Sequence, residues 1–152
     1  MDSATTLATV MQHAQSQRDQ ALSGVRQAQT AASAAREQAT QLQTYRGEYR
    51  ERWTTRFQQT GTVQLLNCYH GFAGRLDQAV SLQLQTAHQA ERRLQQAQAL
   101  LLTRELRVAA VTKLMERRHA EQLRSQGRRE QRQLDESAAR QALGSRRPST
   151  AG

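Results

Sequence analysis

The sequence predicts an all-α fold, a long antiparallel two-helix coiled coil in which the second helix overhangs at its C-terminal end. Three observations support this prediction: two long heptad patterns, one break between them, and the scarcity of proline. A 3.5-residue repeat of apolar and small residues held over many turns is typical of a coiled coil. The only proline is Pro148, so nothing forces a break in a helix before Arg147.

The first heptad pattern starts at Leu7 and advances by alternate steps of four and three residues. Only Arg18 and Arg46 among its positions are polar. The pattern predicts a first helix over about residues 4–58, with a stripe of small residues along one side. Its positions are Leu7, Met11, Ala14, Arg18, Ala21, Val25, Ala28, Ala32, Ala35, Ala39, Leu42, Arg46, Tyr49 and Trp53.

The second pattern has the same spacing and predicts a second helix over about residues 64–142. Its positions are Leu66, Tyr69, Ala73, Leu76, Val80, Gln83, Ala87, Ala90, Leu94, Ala97, Leu101, Arg104, Val108, Val111 and Met115. The two helices are separated by a turn over about residues 59–63. Gly61 is the strongest helix breaker there, because glycine readily adopts the left-handed conformation that ends many helices.

If the chain turns back at Gly61, the two patterns face each other in a matched register. Most facing pairs then join a small residue to a large one, as a closely packed helix pair requires. One layer is awkward because it sets Arg18 against Arg104, although Asp19 and Glu105 lie beside them and both arginines can extend towards solvent. The apolar pairs are Leu7 with Met115, Met11 with Val111, Ala14 with Val108, Ala21 with Leu101, Val25 with Ala97 and Ala28 with Leu94.

The same register predicts that the second helix continues beyond its partner, which runs out near Met115 to His119. Residues 117–143 are strongly charged and carry only a thin apolar stripe, so this stretch gains little from packing. We expect residues 1–143 to form the hairpin and residues 144–152 to be a disordered tail, because Gly144 and Pro148 stop the helix.

The chain is strongly basic, with 22 basic and 13 acidic residues among its 152 and a net charge of +9. Lys113 is the single lysine, so the basic residues are nearly all arginines. Such a surface attracts polyanions in general, whether nucleic acid, anionic lipid or an acidic protein, and charge does not choose among them. A basic nucleic-acid-binding coiled coil therefore remains one alternative.

Several other classes of protein are disfavoured by the sequence. No stretch reaches the roughly 18 apolar residues of a membrane span, and the first residues lack the features of a secretory signal, so we expect a cytoplasmic protein. Cys68 stands alone, and the four histidines show no metal-ligand spacing. No phosphate-binding loop or catalytic constellation stands out, so we expect a protein without enzymatic activity or cofactor.

All six aromatic residues lie between Tyr45 and Phe72, around the predicted turn. Trp53 and Tyr69 occupy heptad positions, so we expect them to pack in the core near the turn. Tyr45 and Phe72 lie beside the stripes, where two helices cannot bury them fully. An exposed patch of aromatic and aliphatic side chains is typical of a protein-binding site.

The residues of this region resemble those of a known protein family in type and spacing. Gln38, Leu42, Tyr45, Glu48, Tyr49 and Arg50 on the first helix, with Phe72, Leu76 and Ala79 on the second, match in spacing a recurring surface set of the flagellar FliJ family of type III export proteins. The chain resembles this family over most of its length, in basic charge, hairpin layout and unpaired C-terminal helix. Gln83 departs from the pattern, because the family often has histidine there.

The resemblance implies a cytoplasmic coiled coil similar to the central stalk of rotary ATPases, peripheral at the inner-membrane face of the flagellar base. The end with both termini would enter the hexameric export ATPase and promote its assembly and activity, while a patch along the helices would contact the cytoplasmic domain of the export gate. The family also escorts export chaperones. The gate-binding set is Gln38, Leu42, Tyr45, Tyr49, Phe72, Leu76, Ala79 and Gln83.

The basic end of the second helix is the candidate for contact with acidic surfaces of the ATPase ring. Its candidate residues are Arg107, Arg117, Arg118, Arg124, Arg128, Arg129 and Arg132. A further alternative is a substrate-export chaperone that shields a terminal helix of its cargo against an apolar face. That alternative predicts a stable one-to-one complex with a filament-associated subunit.

Overall fold

The computed structural model describes residues 2–146 and consists of two long α-helices that pack against each other as a hairpin. Helix α1 spans Ser3–Gln59 and helix α2 spans Val63–Ser145, and the described residues contain no strand. The predicted all-α antiparallel hairpin is confirmed. Helix α2 includes Gly144 and Ser145, which the sequence assigned to a disordered tail, and residues 147–152 of that tail lie outside the described part of the chain.

Each helix is preceded by a residue whose side chain or carbonyl accepts hydrogen bonds from the first turn. The Ala4 amide donates to Asp2 Oδ1 over 3.4 Å, and the Thr6 amide donates to the Asp2 carbonyl over 3.2 Å. At the start of α2, the Leu65 amide donates to Thr62 Oγ1 over 3.3 Å. Such N-caps satisfy amide groups that have no partner inside the helix.

The turn between the helices differs from the prediction, because Gly61 is not in the left-handed conformation. No described residue, glycine or otherwise, has a positive φ angle. The Thr60 amide still donates to the Arg56 carbonyl over 2.9 Å, and Thr62 already caps α2. The end of α1 and the start of α2 therefore keep these hydrogen bonds without the conformation for which glycine was expected.

Replacing Gly61 by alanine should accordingly stabilise the protein. An added Cβ would meet only the Phe57 carbonyl oxygen, at 3.5 Å, which is an ordinary contact. Alanine also loses less backbone freedom on folding, so we expect a gain of about 0.4–1 kcal/mol in the free energy of unfolding. Urea unfolding followed by far-UV circular dichroism measures this gain, and a loss of stability would show that the turn requires glycine.

The chain divides into two compact units. One contains His13–Leu106, and the other combines residues 2–12 with residues 107–146. The unit of residues 13–106 has a core in which alanines of α1 pack with larger residues of α2, as the heptad patterns predict. Ala32 and Val80 are almost completely buried, at 0% and 1% exposure. Its buried residues are Ala14, Ala21, Ala32, Ala35 and Ala39 from α1, and Leu76, Val80, Ala87 and Leu94 from α2.

The layer that contains Arg18 and Arg104 lies within this unit, and each of the two guanidinium groups has a polar partner. Arg18 pairs with the neighbouring Asp19 over 3.1 Å, as expected. Arg104 Nη1 instead donates to Gln17 Oε1 on the facing helix over 3.0 Å, so a glutamine replaces the expected Glu105. Both arginines are half-buried, which agrees with side chains that extend along the helix pair towards water.

In the other unit, Leu7 and Met11 of α1 are half-buried and Val111 of α2 is buried. Met115, predicted to face Leu7, is 36% exposed, and the half-buried positions further on are Arg118, Ala120 and Ser125. Arg118 and Ser125 follow Val111 at intervals of seven residues, so the inner face keeps its heptad spacing there, and Met115 lies at the exposed edge of that face. The proposed overhang of α2 stays a prediction.

At the start of the second pattern, Leu66 is also more exposed than predicted, at 42%, while Leu65 is half-buried. The inner face of α2 therefore begins one residue earlier than the heptad steps imply. From Leu65 it continues through Tyr69 and Ala73 at a spacing of four residues, which is close to one turn of an α-helix. In the described residues neither helix is long and apolar enough to cross a membrane.

Candidate functional site

The aromatic side chains near the turn form one continuous cluster. On α1, residues four apart lie on the same side of the helix, so each ring meets the next. Ring centroids are 6.4 Å apart for Tyr45 and Tyr49, 5.9 Å for Tyr49 and Trp53, and 5.3 Å for Trp53 and Phe57. The contacts between successive rings therefore hold the aromatic side chains of α1 in fixed positions.

Two aromatic residues of α2 complete the cluster from the facing helix. Tyr69 lies 5.6–5.8 Å from the rings of Tyr49, Trp53 and Phe57. Phe72 lies 4.6 Å from Tyr49, the shortest ring distance in the cluster. Such pairs contribute roughly 0.5–1.5 kcal/mol beyond the area they bury, so the cluster fixes the register of the two helices here.

The outer members of this cluster remain accessible. Tyr45 is 41% exposed and Phe72 is 38% exposed, whereas Trp53 and Tyr69 are half-buried. Trp53 and Tyr69 are therefore less covered than their predicted core positions imply, whereas Tyr45 and Phe72 are exposed as their places beside the stripes predict. Exposed aromatic rings held by rigid neighbours lose little entropy on binding, which is a property of strong contact residues in protein interfaces.

The eight candidate gate-binding residues come together across the two helices, and we name this set the aromatic patch. At one end Gln83 Nε2 donates to Gln38 Oε1 over 3.0 Å and reaches the Ala35 carbonyl over 3.4 Å. At the other end Tyr49 packs against Phe72. The patch comprises Gln38, Leu42, Tyr45 and Tyr49 of α1 with Phe72, Leu76, Ala79 and Gln83 of α2.

The members of the aromatic patch differ in what they can offer a partner. Leu76 is only 6% exposed, so it supports the patch from beneath and does not present a contact surface. Leu42, Ala79 and Gln83 are half-buried. Gln38, Tyr45 and Phe72 are exposed, and a partner would therefore meet these three side chains first.

A charged group beside the aromatic patch was missed by the sequence reasoning. Arg46 Nη1 and Arg50 Nη2 both lie 3.5 Å from Asp77 Oδ1 on the facing helix. The predicted register already set Asp77 close to Arg46, and this was the signal that could have found the group. Exposed ion pairs contribute little to stability, but they hold two guanidinium groups in place at the rim of the patch.

The seven candidate ring-binding arginines lie in the unit that contains residues 107–146, along one half of the circumference of α2. We name them the arginine face. All are exposed except Arg118, which is half-buried, and Leu123 and Leu134 lie on the opposite side of the helix. The arginine face comprises Arg107, Arg117, Arg118, Arg124, Arg128, Arg129 and Arg132.

No arginine of this face lies within salt-bridge distance of an acidic group in the described part of the chain. Further along α2, Arg140 pairs with Glu136 over 3.8 Å. The face therefore presents guanidinium groups that are open to an external anion. Bidentate guanidinium contacts suit carboxylates as well as phosphates.

The remaining candidates for chemistry do not assemble into a site. Residues 2–146 contain no group of three or more histidine, cysteine, aspartate or glutamate side chains that could hold a metal ion. Cys68 is a free, exposed thiol. The described residues thus present two exposed surfaces of different character, the aromatic patch and the arginine face.

Comparison with known proteins gives one result. A family model described as "Flagellar FliJ protein" matches residues 3–147. No curated protein matches the chain, and no solved structure matches it.

Proposed function

Because this chain belongs to the flagellar FliJ family, it is a component of the flagellar type III export apparatus, and we propose that it acts there as the stalk of the hexameric export ATPase. The family is known as a non-catalytic export component. The observation that carries the proposal is the presence of two exposed binding surfaces of different chemistry, the aromatic patch and the arginine face. A protein that couples two assemblies needs one surface for each.

The arginine face is the surface we assign to the ATPase. Its guanidinium groups have no acidic partner among residues 2–146, so they can pair with carboxylates that line the opening of a ring. The excess positive charge also accelerates the encounter with an acidic partner. In this proposal α2 overhangs α1, and its C-terminal part enters the ring and promotes ring assembly and ATP hydrolysis.

The aromatic patch is the surface we assign to the cytoplasmic domain of the export gate. Tyr45 and Phe72 are exposed, and both rings are fixed by their contacts with Tyr49. A small group of preorganised aromatic side chains supplies most of the binding energy in many interfaces. Contact at this patch would couple ATP hydrolysis to the gate.

Two further roles belong to the same proposal. The chain would escort empty export chaperones, and it would associate with the inner-membrane face of the flagellar base through its partners. Both roles need binding surfaces that remain accessible outside the ring. The aromatic patch supports them, because its Tyr45 and Phe72 rings are exposed.

The experiment that tests the stalk measures ATP hydrolysis by the cognate export ATPase and its ring formation in electron micrographs, with and without this protein. We expect substoichiometric protein to raise both. Replacing Arg124, Arg128 and Arg132 by glutamine should remove most of the stimulation, because glutamine keeps helix propensity but lacks the charge. If the wild-type protein changes neither quantity, the stalk proposal is wrong.

A matched control separates the arginine face from general positive charge. Arg26, Arg92 and Arg93 are exposed and lie in the other unit, so their replacement by glutamine removes the same charge elsewhere. We expect this variant to stimulate the ATPase as the wild type does. Equal loss in both variants would indicate an unspecific charge effect, and tight, salt-sensitive binding to RNA or DNA would favour the nucleic-acid alternative.

A further inference from the structure

Besides the inner heptad pattern that faces α1, helix α2 has another set of positions at heptad spacing that does not face α1. From Ala109 the steps of four and three residues run to Leu134, on a side of the helix separate from the buried Val111. We name these positions the outer stripe. They are Ala109, Lys113, Glu116, Ala120, Leu123, Gly127, Glu130 and Leu134, and all are exposed except the half-buried Ala120.

No contact within the single chain explains the residue types at three positions of the outer stripe. Leu123 and Leu134 are 57% and 65% exposed. Gly127 lies inside the helix, where glycine costs about 1 kcal/mol relative to alanine. An added Cβ at Gly127 would meet nothing within 4 Å, so no close contact in this chain requires the glycine.

We propose that the outer stripe binds a second copy of this chain in an antiparallel arrangement. In one register three of the four kinds of layer are complementary in size or charge. Ala109 then faces Leu134 of the partner subunit, and Ala120 faces Leu123 of the partner subunit, so small residues meet large ones. The remaining layers set Lys113 against Glu130 of the partner subunit and Glu116 against Gly127 of the partner subunit.

The charges of the outer stripe select this register over its neighbours. Lys113 is the single lysine of the chain and would pair with Glu130 of the partner subunit. A parallel arrangement would set Lys113 against Lys113 of the partner subunit. Sliding the antiparallel pair by one heptad would bury Lys113 or Glu116 against a leucine. A single lysine at a core position of a coiled coil commonly fixes its register.

The proposed pairing is two-fold symmetric, because each layer occurs twice with the helices exchanged. It uses about four heptads, which is long enough for a coiled coil to associate. Arg117 and Arg124 would flank it with like charges, partly neutralised by Glu121 between them on the same helix. We therefore expect a weak dimer that moderate salt strengthens by screening this repulsion.

The dimer does not depend on the proposed stalk function, and analytical ultracentrifugation of the full chain tests it directly. We expect concentration-dependent dimerisation with a micromolar dissociation constant. Lys113→Glu and Glu130→Lys each create like-charge layers, and each should weaken dimerisation by about tenfold or more. The double variant Lys113→Glu/Glu130→Lys restores opposite charges in every copy, so dimerisation should return.

A control and a second measurement complete the test. Arg129→Glu changes the charge on the opposite side of α2 and should not weaken dimerisation. In a Cys68→Ser background, Ala120→Cys mixed with Leu123→Cys should form a disulfide-linked dimer on mild oxidation, whereas Gln122→Cys should not. A monomer at every concentration, failure of the double charge exchange to restore the dimer, or cross-linking at Gln122 alone would overturn the proposal.

Discussion

Replacing Val80 by aspartate is expected to abolish cooperative folding of the unit of residues 13–106. Val80 is 1% exposed and is the largest fully buried side chain in the described chain. No buried polar or charged residue is present among residues 2–146 to pair with a carboxylate there. An unpaired buried charge costs about 3 kcal/mol or more, a large fraction of the stability of a small helical unit. Urea unfolding followed by far-UV circular dichroism would show the loss.

Leu82 provides the matched control on the same helix. It lies two residues from Val80 but is 64% exposed. Leu82→Asp introduces the same charge into the same helix, and its effect should stay within about 0.5 kcal/mol because no core contact is lost. Equal destabilisation by the two substitutions would contradict the packing of α2 described above.

The second large effect concerns the aromatic patch. Phe72→Ala removes an exposed ring that packs 4.6 Å from Tyr49, and Tyr45→Ala removes its exposed neighbour on α1. If the patch binds the export gate, combining these changes with Tyr49→Ala should weaken binding to the cytoplasmic gate domain by about a hundredfold or more. Isothermal titration calorimetry measures the affinity, and swimming motility reports the consequence in cells.

Leu102→Ala serves as the control for this experiment. Leu102 is 58% exposed on α2 and lies outside the aromatic patch, so its truncation removes a similar exposed hydrophobic group. We expect unchanged gate affinity. Circular dichroism of the triple variant should retain the helical signal, because Leu76 and Val80 still form the core beneath the patch. Retained affinity in a folded triple variant would refute the assignment of the gate site.

The helices and their register could be predicted because they depend on periodicity alone. Alternate steps of four and three residues identify the buried alanines of α1 and the buried Val80 and Leu94 of α2. The hydrogen bonds from Arg104 to Gln17 and from Gln83 to Gln38 agree with the predicted register to within one residue. The prediction is less accurate at the two ends, where Leu66 and Met115 are more exposed than their heptad positions imply.

Local backbone conformation and side-chain partners were less predictable. Glycine permits a left-handed conformation but does not require it. Gly61 has no positive φ angle, and the next residue, Thr62, caps α2. Leu76 is buried as its heptad position predicts, although the resemblance placed it in the gate-binding set. The contacts of Asp77 with Arg46 and Arg50 depend on rotamers of long side chains, which no spacing rule determines.

The alanines of α1 also determine how freely this sequence can vary. A single-base change in an alanine codon yields only valine, threonine, serine, glycine, proline, aspartate or glutamate. At the fully buried Ala32, each of these would crowd the facing helix, bury a polar group or weaken the helix. Exposed positions such as Arg92 and Arg93, which lie outside the aromatic patch, the arginine face and the outer stripe, carry no such restriction. Mutations should therefore accumulate more slowly along the inner side of α1 than at such positions.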